Sequence, residues 1–200
     1  MTDDLAGETA YQKPDLSGEV QELGLWKPKG IVAVIDTSVF VAARVSSAGN
    51  LSSARQVVRF AGLVYDSFTS PGILQEVEDV LARPRFGYPV AETRRWLEVF
   101  LRHSRQVDPA FVPGDYSAAL HADEKDNPIF KTALAVNLHE EGQVALADAK
   151  CRYGCFLVSK DRDFEEGRNV WGWEFIRPET FWQLLLSQNG GGAADQQRQP

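Results

Sequence analysis

Cysteine and histidine are scarce in this chain. Two cysteines among 200 residues are too few for a disulfide framework. Cys151 and Cys155 stand four apart, which is not the spacing of a CxxC pair, and small half-buried thiols are the expectation. The three histidines, His103, His121 and His139, have no ligand spacing with another acid or cysteine, which argues against a zinc site. No apolar run approaches the roughly 20 residues of a membrane span. The opening MTDDLAGETAYQKPD lacks the basic-then-apolar order of a signal peptide. These absences lead us to expect a cytoplasmic protein with no membrane partner. The phosphate-cradling pattern GxxxxGKS and the nucleophile pattern GxSxG are also missing, and no internal repeat is visible.

What remains reads as one globular domain: 44% of residues are hydrophobic and 24% charged. The net charge of −7 argues against nucleic-acid binding through overall charge. The charge is uneven, however. Residues 1–30 hold six acids against three lysines, whereas residues 83–105 hold six arginines against two glutamates. A basic strip thus runs through an acidic molecule. Its members are Arg83, Arg85, Arg94, Arg95, Arg102 and Arg105, readable as a phosphate-binding row or as a solvated helix face.

Residues 1–29 show no sustained period and read as a flexible arm, residues 30–188 as the folded domain, and residues 189–200, NGGGAADQQRQP, as a disordered tail. Within the domain, strands and helices alternate. IVAVI and CFLVS are runs fit for strands buried on both faces; LVYDSFTS is a poorer strand and EFIRP a short last one. TSVFVAARV turns into a helix. SSARQVVRFAG is a second helix, with Ser53 and Gln56 at capping-box spacing and Gly62 as its stop. SPGILQEVEDVLARP has Ser70 to cap it and Pro71 at the first helical position. AETRRWLEVFLRHS, DNPIFKTALAVNLHEE and PETFWQLLL complete the set. The alternation predicts an α/β fold: a mainly parallel sheet with helices on both faces.

Four acids occupy telling positions. Asp36 sits in IVAVIDTSVFVAA, where ten of thirteen residues are apolar; an uncompensated carboxylate there costs several kcal/mol. It directly follows a buried strand, and open parallel sheets bind ligands beyond the carboxyl ends of their strands. Asp161, in CFLVSKDRDF, follows the other strong strand. Each is also well suited simply to capping the next turn. Glu76 shares the apolar stripe of Ile73, Val77 and Val80, while Glu78 and Asp79 are expected to lean toward solvent. Glu76 therefore needs a cationic partner, a proton or a metal. Asp126 opens DNPIFKTALA, a position where capping is the ordinary role. Taken together, four carboxylates in one pocket require a cation, and all-oxygen ligands suit Mg²⁺ or Mn²⁺. The natural chemistry of such a site is the activation of water against a phosphodiester.

The segments VIDTSVFVAA, SPGILQEVEDVLARPRF, DEKDNPIFKTALA, FLVSKDRDF and FIRPETFWQLL resemble, in this order, the motifs of the PIN-domain nucleases, and within them the VapC-like toxins of bacterial toxin–antitoxin pairs. The resemblance spans about residues 31–186. It implies a three-layer α/β/α fold and a metal-dependent ribonuclease. It also implies Mg²⁺ or Mn²⁺ held by Asp36, Glu76, Asp126 and Asp161, with Thr37, Ser38, Ser159 and Asp163 supporting these ligands. Single-stranded RNA would be the substrate, with Arg83, Arg85, Arg94 and Arg95 on its phosphates. A partner antitoxin and a homodimer are implied as well. Against this stand a non-catalytic module that grips a protein or nucleic acid, and a phosphatase or DNA-directed nuclease. Three departures are visible. Ser38 stands where many relatives have Asn. Asp126 and Asp161 are 35 apart, more than is usual in the family, which leaves Asp148 as a competitor for the third acid. DRD offers Asp163 beside Asp161; Asp161, nearer the strand end, is preferred.

Overall fold

The computed structural model describes residues 30–46, 52–112, 127–139 and 154–190. The expected arm, Asp126, Asp148, Cys151, His121 and residues 191–200 lie outside the described residues.

Six strands form one sheet: β1 (Ile31–Ile35), β2 (Asp66–Thr69), β3 (Arg105–Gln106), β4 (Gly154–Val158), β5 (Asn169–Val170) and β6 (Trp173–Ile176). Their order is β3-β2-β1-β4-β6-β5. All neighbours are parallel except β5 and β6. β1 is central, and all five of its residues are fully buried. A strand paired on both edges and covered on both faces accepts only apolar side chains, which explains its unbroken apolar run.

Six helices are described: α1 (Thr37–Val45), α2 (Ser53–Arg59), α3 (Pro71–Ala82), α4 (Val90–Leu101), α5 (Asn127–Leu138) and α6 (Pro178–Gly190). They cover both faces of the sheet. Phe156 of β4 packs on Phe181 of α6, with ring centroids 5.6 Å apart. On the other face Phe175 of β6 meets Phe130 of α5 at 6.0 Å. This is the expected α/β architecture. Cys155 lies in the buried core, more deeply than the half-buried thiol expected from sequence.

Local chemistry sets the helix ends. Ser70 caps α3, its Oγ accepting from the Ile73 N–H at 3.4 Å, and Pro71 follows at the first helical position. For α2 the cap is Ser52 rather than Ser53: its Oγ accepts from the Arg55 N–H. The helix ends at Phe60, before Gly62. Gly62 has another task. Its φ is +72°, and a Cβ there would fall 1.8 Å from the His103 carbonyl oxygen, so the chain segment after α4 can approach only a glycine.

On α3 the expectation for Glu78 is corrected. It is buried rather than solvated, because Arg94 of α4 donates to both its oxygens, Nε to Oε1 at 3.0 Å and Nη2 to Oε2 at 2.7 Å. A two-bond guanidinium–carboxylate pair offsets the loss of hydration that a lone glutamate could not bear.

Candidate active site

Three neighbouring strands, β2, β1 and β4, run parallel and end at one edge of the sheet. The chain beyond each carries an acid. Asp36 follows β1 directly, and its N–H donates to the Val158 carbonyl at the end of β4, at 3.0 Å. Glu76 sits on α3, which begins two residues after β2 ends. Asp161 lies in the loop three residues past β4. The parallel topology therefore delivers all three to the same edge, where α/β sheets bind ligands.

Asp36 is half-buried and caps α1. Its Oδ2 accepts from the Ser38 N–H at 3.2 Å, from the Ser38 hydroxyl, and from Ser159 Oγ at 2.9 Å. These bonds all gather on one carboxylate oxygen. Burial raises the carboxyl above its usual range, while the hydrogen bonds from Ser38 and Ser159 act against that rise. Capping alone does not require this degree of burial, and a bound cation is a natural counterpart to it.

The neighbouring hydroxyls tie the acids into one network. Thr37 Oγ1 donates to Glu76 Oε2 at 2.8 Å, which joins the start of α1 to α3. Ser159 Oγ, while donating to Asp36, accepts from the Asp161 N–H at 3.0 Å. Ser38 Oγ accepts from the Lys160 N–H at 3.0 Å. The Oδ1 of Asp161 accepts from the Asp163 N–H at 3.1 Å in a tight local turn. Asp163 therefore supports Asp161 through its backbone, while its own side chain is exposed.

Asp126 lies outside the described residues, directly before α5. The start of that helix is fixed against α3. Thr132 Oγ1 donates to the Pro128 carbonyl at 2.6 Å and shares a 2.7 Å hydrogen bond with Ser70 Oγ, the cap of α3. Sequence reading missed this buried pair. The hydroxyl inside an otherwise apolar helix was the available signal.

Among the described residues, no three histidine, cysteine, aspartate or glutamate side chains stand close enough to hold a metal ion by themselves. The donor chemistry of Asp36, Glu76 and Asp161 is nevertheless all oxygen, which fits a hard divalent cation.

The arginines divide. Arg83, Arg85, Arg95 and Arg102 are exposed. Arg83 and Arg85 stand seven and nine residues past Glu76, about 10 Å or more along α3 and beyond it. Arg105 lies 3.9 Å from Asp66 and over the Phe68 ring. Arg94 is committed to Glu78, so its first task is to join α3 to α4.

Arg177 was also missed from sequence. It is the residue between β6 and α6, and its guanidinium donates to carbonyls of the loop that carries Asp161. The only hint was a charged residue after an apolar strand.

A family model for the PIN domain matches residues 32–139. No curated protein matches the sequence. The matched span includes Asp36, Glu76 and Asp126 and ends before Asp161, whose place at the edge follows from the pairing of β4 with β1. PIN domains are typically nucleases that use divalent metal ions. With the match covering more than half of its length, the chain belongs to the PIN-domain family.

Proposed function

We propose that this protein is a metal-dependent endoribonuclease acting on single-stranded RNA, the toxin of a toxin–antitoxin pair. The observation that carries the nuclease reading is the Ser159 hydroxyl, bonded at once to the Asp36 carboxylate and the Asp161 backbone. A merely capping aspartate has no use for a bridge to a second acid's loop.

Asp36, Glu76, Asp126 and Asp161 would hold Mg²⁺ or Mn²⁺. Bound there, the ion would supply an activated water and stabilise charge that develops on the phosphate. The chain's own groups do the rest. Ser38 and Ser159 hold Asp36 by one oxygen, and Thr37 holds Glu76. Such supporting bonds fix ligand orientation. Arg83, Arg85 and Arg95 are exposed and would meet RNA phosphates, Arg85 from over the Phe86 ring, with Arg94 a weaker contributor because of its bond to Glu78. No helix among the described residues is long and apolar enough to cross a membrane, and we place the protein in the cytoplasm. An antitoxin would block the acidic edge with a basic or aromatic side chain, and the toxin would act as a homodimer.

The toxin reading is tested by induced expression in bacteria: growth should arrest with the wild type and continue with Asp36→Asn. Equal growth of both would remove it.

A second reading is a non-catalytic PIN module that grips a protein or nucleic acid. It is favoured by the lack of a closed set of three ligands among the described residues. Such a module would bind its partner equally well with and without chelator, whereas the nuclease loses its activity.

A further inference from the structure

Arg177 grips one loop from below and is gripped by it in return. Its Nη1 donates to the Ser159 carbonyl at 3.3 Å and to the Asp161 carbonyl, and its Nη2 donates to the Phe164 carbonyl at 3.0 Å. The loop's Glu166 reaches back: its Oε1 accepts from the Arg177 N–H at 3.1 Å. Hydrogen bonds from the Thr180 side chain and the Arg177 backbone lower the Glu166 pKa. The junction between β6 and α6 is thus latched to the loop after β4 in both directions.

That loop has no helix or strand of its own between Ser159 and Arg168. At Phe164 it is anchored by packing, since that ring stacks on Phe175 with centroids 4.5 Å apart. Beside Asp161 the side chains of Lys160, Arg162 and Asp163 are all exposed and the holds are polar: the Lys160 N–H donates to Ser38 Oγ at 3.0 Å and its Nζ to Glu179 at 3.2 Å. The Asp161 N–H donates to the Ser159 hydroxyl, and its carbonyl accepts from the Phe164 N–H within the loop at 3.4 Å and from Arg177, which is the contact that reaches it from outside the loop. A planar guanidinium presents its donors in a rigid fork, so three carbonyls bound to it keep fixed mutual spacing. A lysine ammonium is a single point on a flexible stem and cannot span them.

We propose that Arg177 is a positioning residue for Asp161, setting its carboxylate at the sheet edge beside Asp36 so that both can face one cation. This rests on the reading of Asp161 as a metal ligand. It goes beyond that reading by assigning the placement of the loop to a residue 16 positions away.

The test is a double-mutant cycle on the full chain, read by Mn²⁺ binding rather than by cleavage. Wild type, Arg177→Met, Asp161→Asn and the double variant are titrated with Mn²⁺ alone, with folding checked by circular dichroism. Arg177→Met should weaken Mn²⁺ binding about tenfold or more, as loss of support to a ligand does. In the Asp161→Asn background the same change should cost less than about twofold. Arg177→Lys should recover little, and it carries the cycle if the methionine variant does not fold. Binding within about twofold of wild type in the folded Arg177 variant, or an equal loss in both backgrounds, overturns the proposal. If Asp161→Asn alone binds Mn²⁺ like the wild type, the metal-ligand reading of Asp161 is what has failed, and the positioning role falls with it.

Discussion

Ser159 Oγ stands 2.9 Å from Asp36 Oδ2, so the end of β4 donates a hydrogen bond to the carboxylate at the end of β1. The two residues are 123 positions apart, and the parallel pairing of β1 with β4 brings them together. This bond orients a carboxylate that burial disfavours.

Ser159→Ala removes that donor and the acceptor for the Asp161 N–H together. Mn²⁺ affinity and RNA cleavage should each fall about tenfold or more, with the far-ultraviolet circular dichroism unchanged. Metal titration of the variant checks this, and wild-type affinity would show that the bridge is incidental.

Asp36 also predicts a pH dependence. Burial raises its pKa in the folded protein above 3.8, so without metal the folded state binds this proton more tightly than the unfolded chain does. The contribution of Asp36 to stability is complete below pH 3.8 and is lost as the pH rises through the folded pKa. Asp36→Asn does not titrate, and it keeps both a helix cap and an acceptor for Ser38 and Ser159. In EDTA the variant should therefore melt at a higher temperature than wild type at neutral pH. The gap should close as the pH falls. Melting curves across that range decide it; a variant less stable than wild type at neutral pH contradicts the account.

Arg94 and Arg95 are adjacent in sequence and opposite in expected effect. Arg94→Ala leaves Glu78 buried without its guanidinium and should lower the melting temperature. Arg95→Ala should leave stability within about 0.5 kcal/mol. It should instead weaken RNA binding and flatten its salt dependence. Thermal melts and RNA titrations at two salt concentrations separate the two roles.

The sheet was legible wherever burial dictated composition. β1 and β4 announce themselves as β-branched or apolar runs, and α3 by Ser70 and Pro71. The two-residue strands β3 and β5 were not legible. Arg105–Gln106 carries no apolar pattern because both residues are exposed. The β5–β6 hairpin turns at Trp171 and Gly172, with φ of 54° and 88°. A tryptophan in the left-handed region is uncommon, so the turn gave no composition signal. Asp36, Glu76 and Asp161 could be singled out because a charge beside apolar residues is costly. Arg177 and the bond of Thr132 to Ser70 could not, since these contacts with distant carbonyls and hydroxyls are encoded by no local pattern. Glu78 was misjudged for a similar reason: its partner Arg94 lies on the next helix, and helix periodicity alone does not show who faces a residue across a gap.

The proposed nuclease depends first on Asp36 as a ligand of its metal. The most direct measurement is cleavage of a labelled single-stranded RNA of mixed sequence by purified wild type and Asp36→Asn, each with Mn²⁺ and with EDTA. The account predicts cleavage by the wild type with Mn²⁺ alone, and none by the folded variant. Cleavage that persists in EDTA or in Asp36→Asn would contradict it.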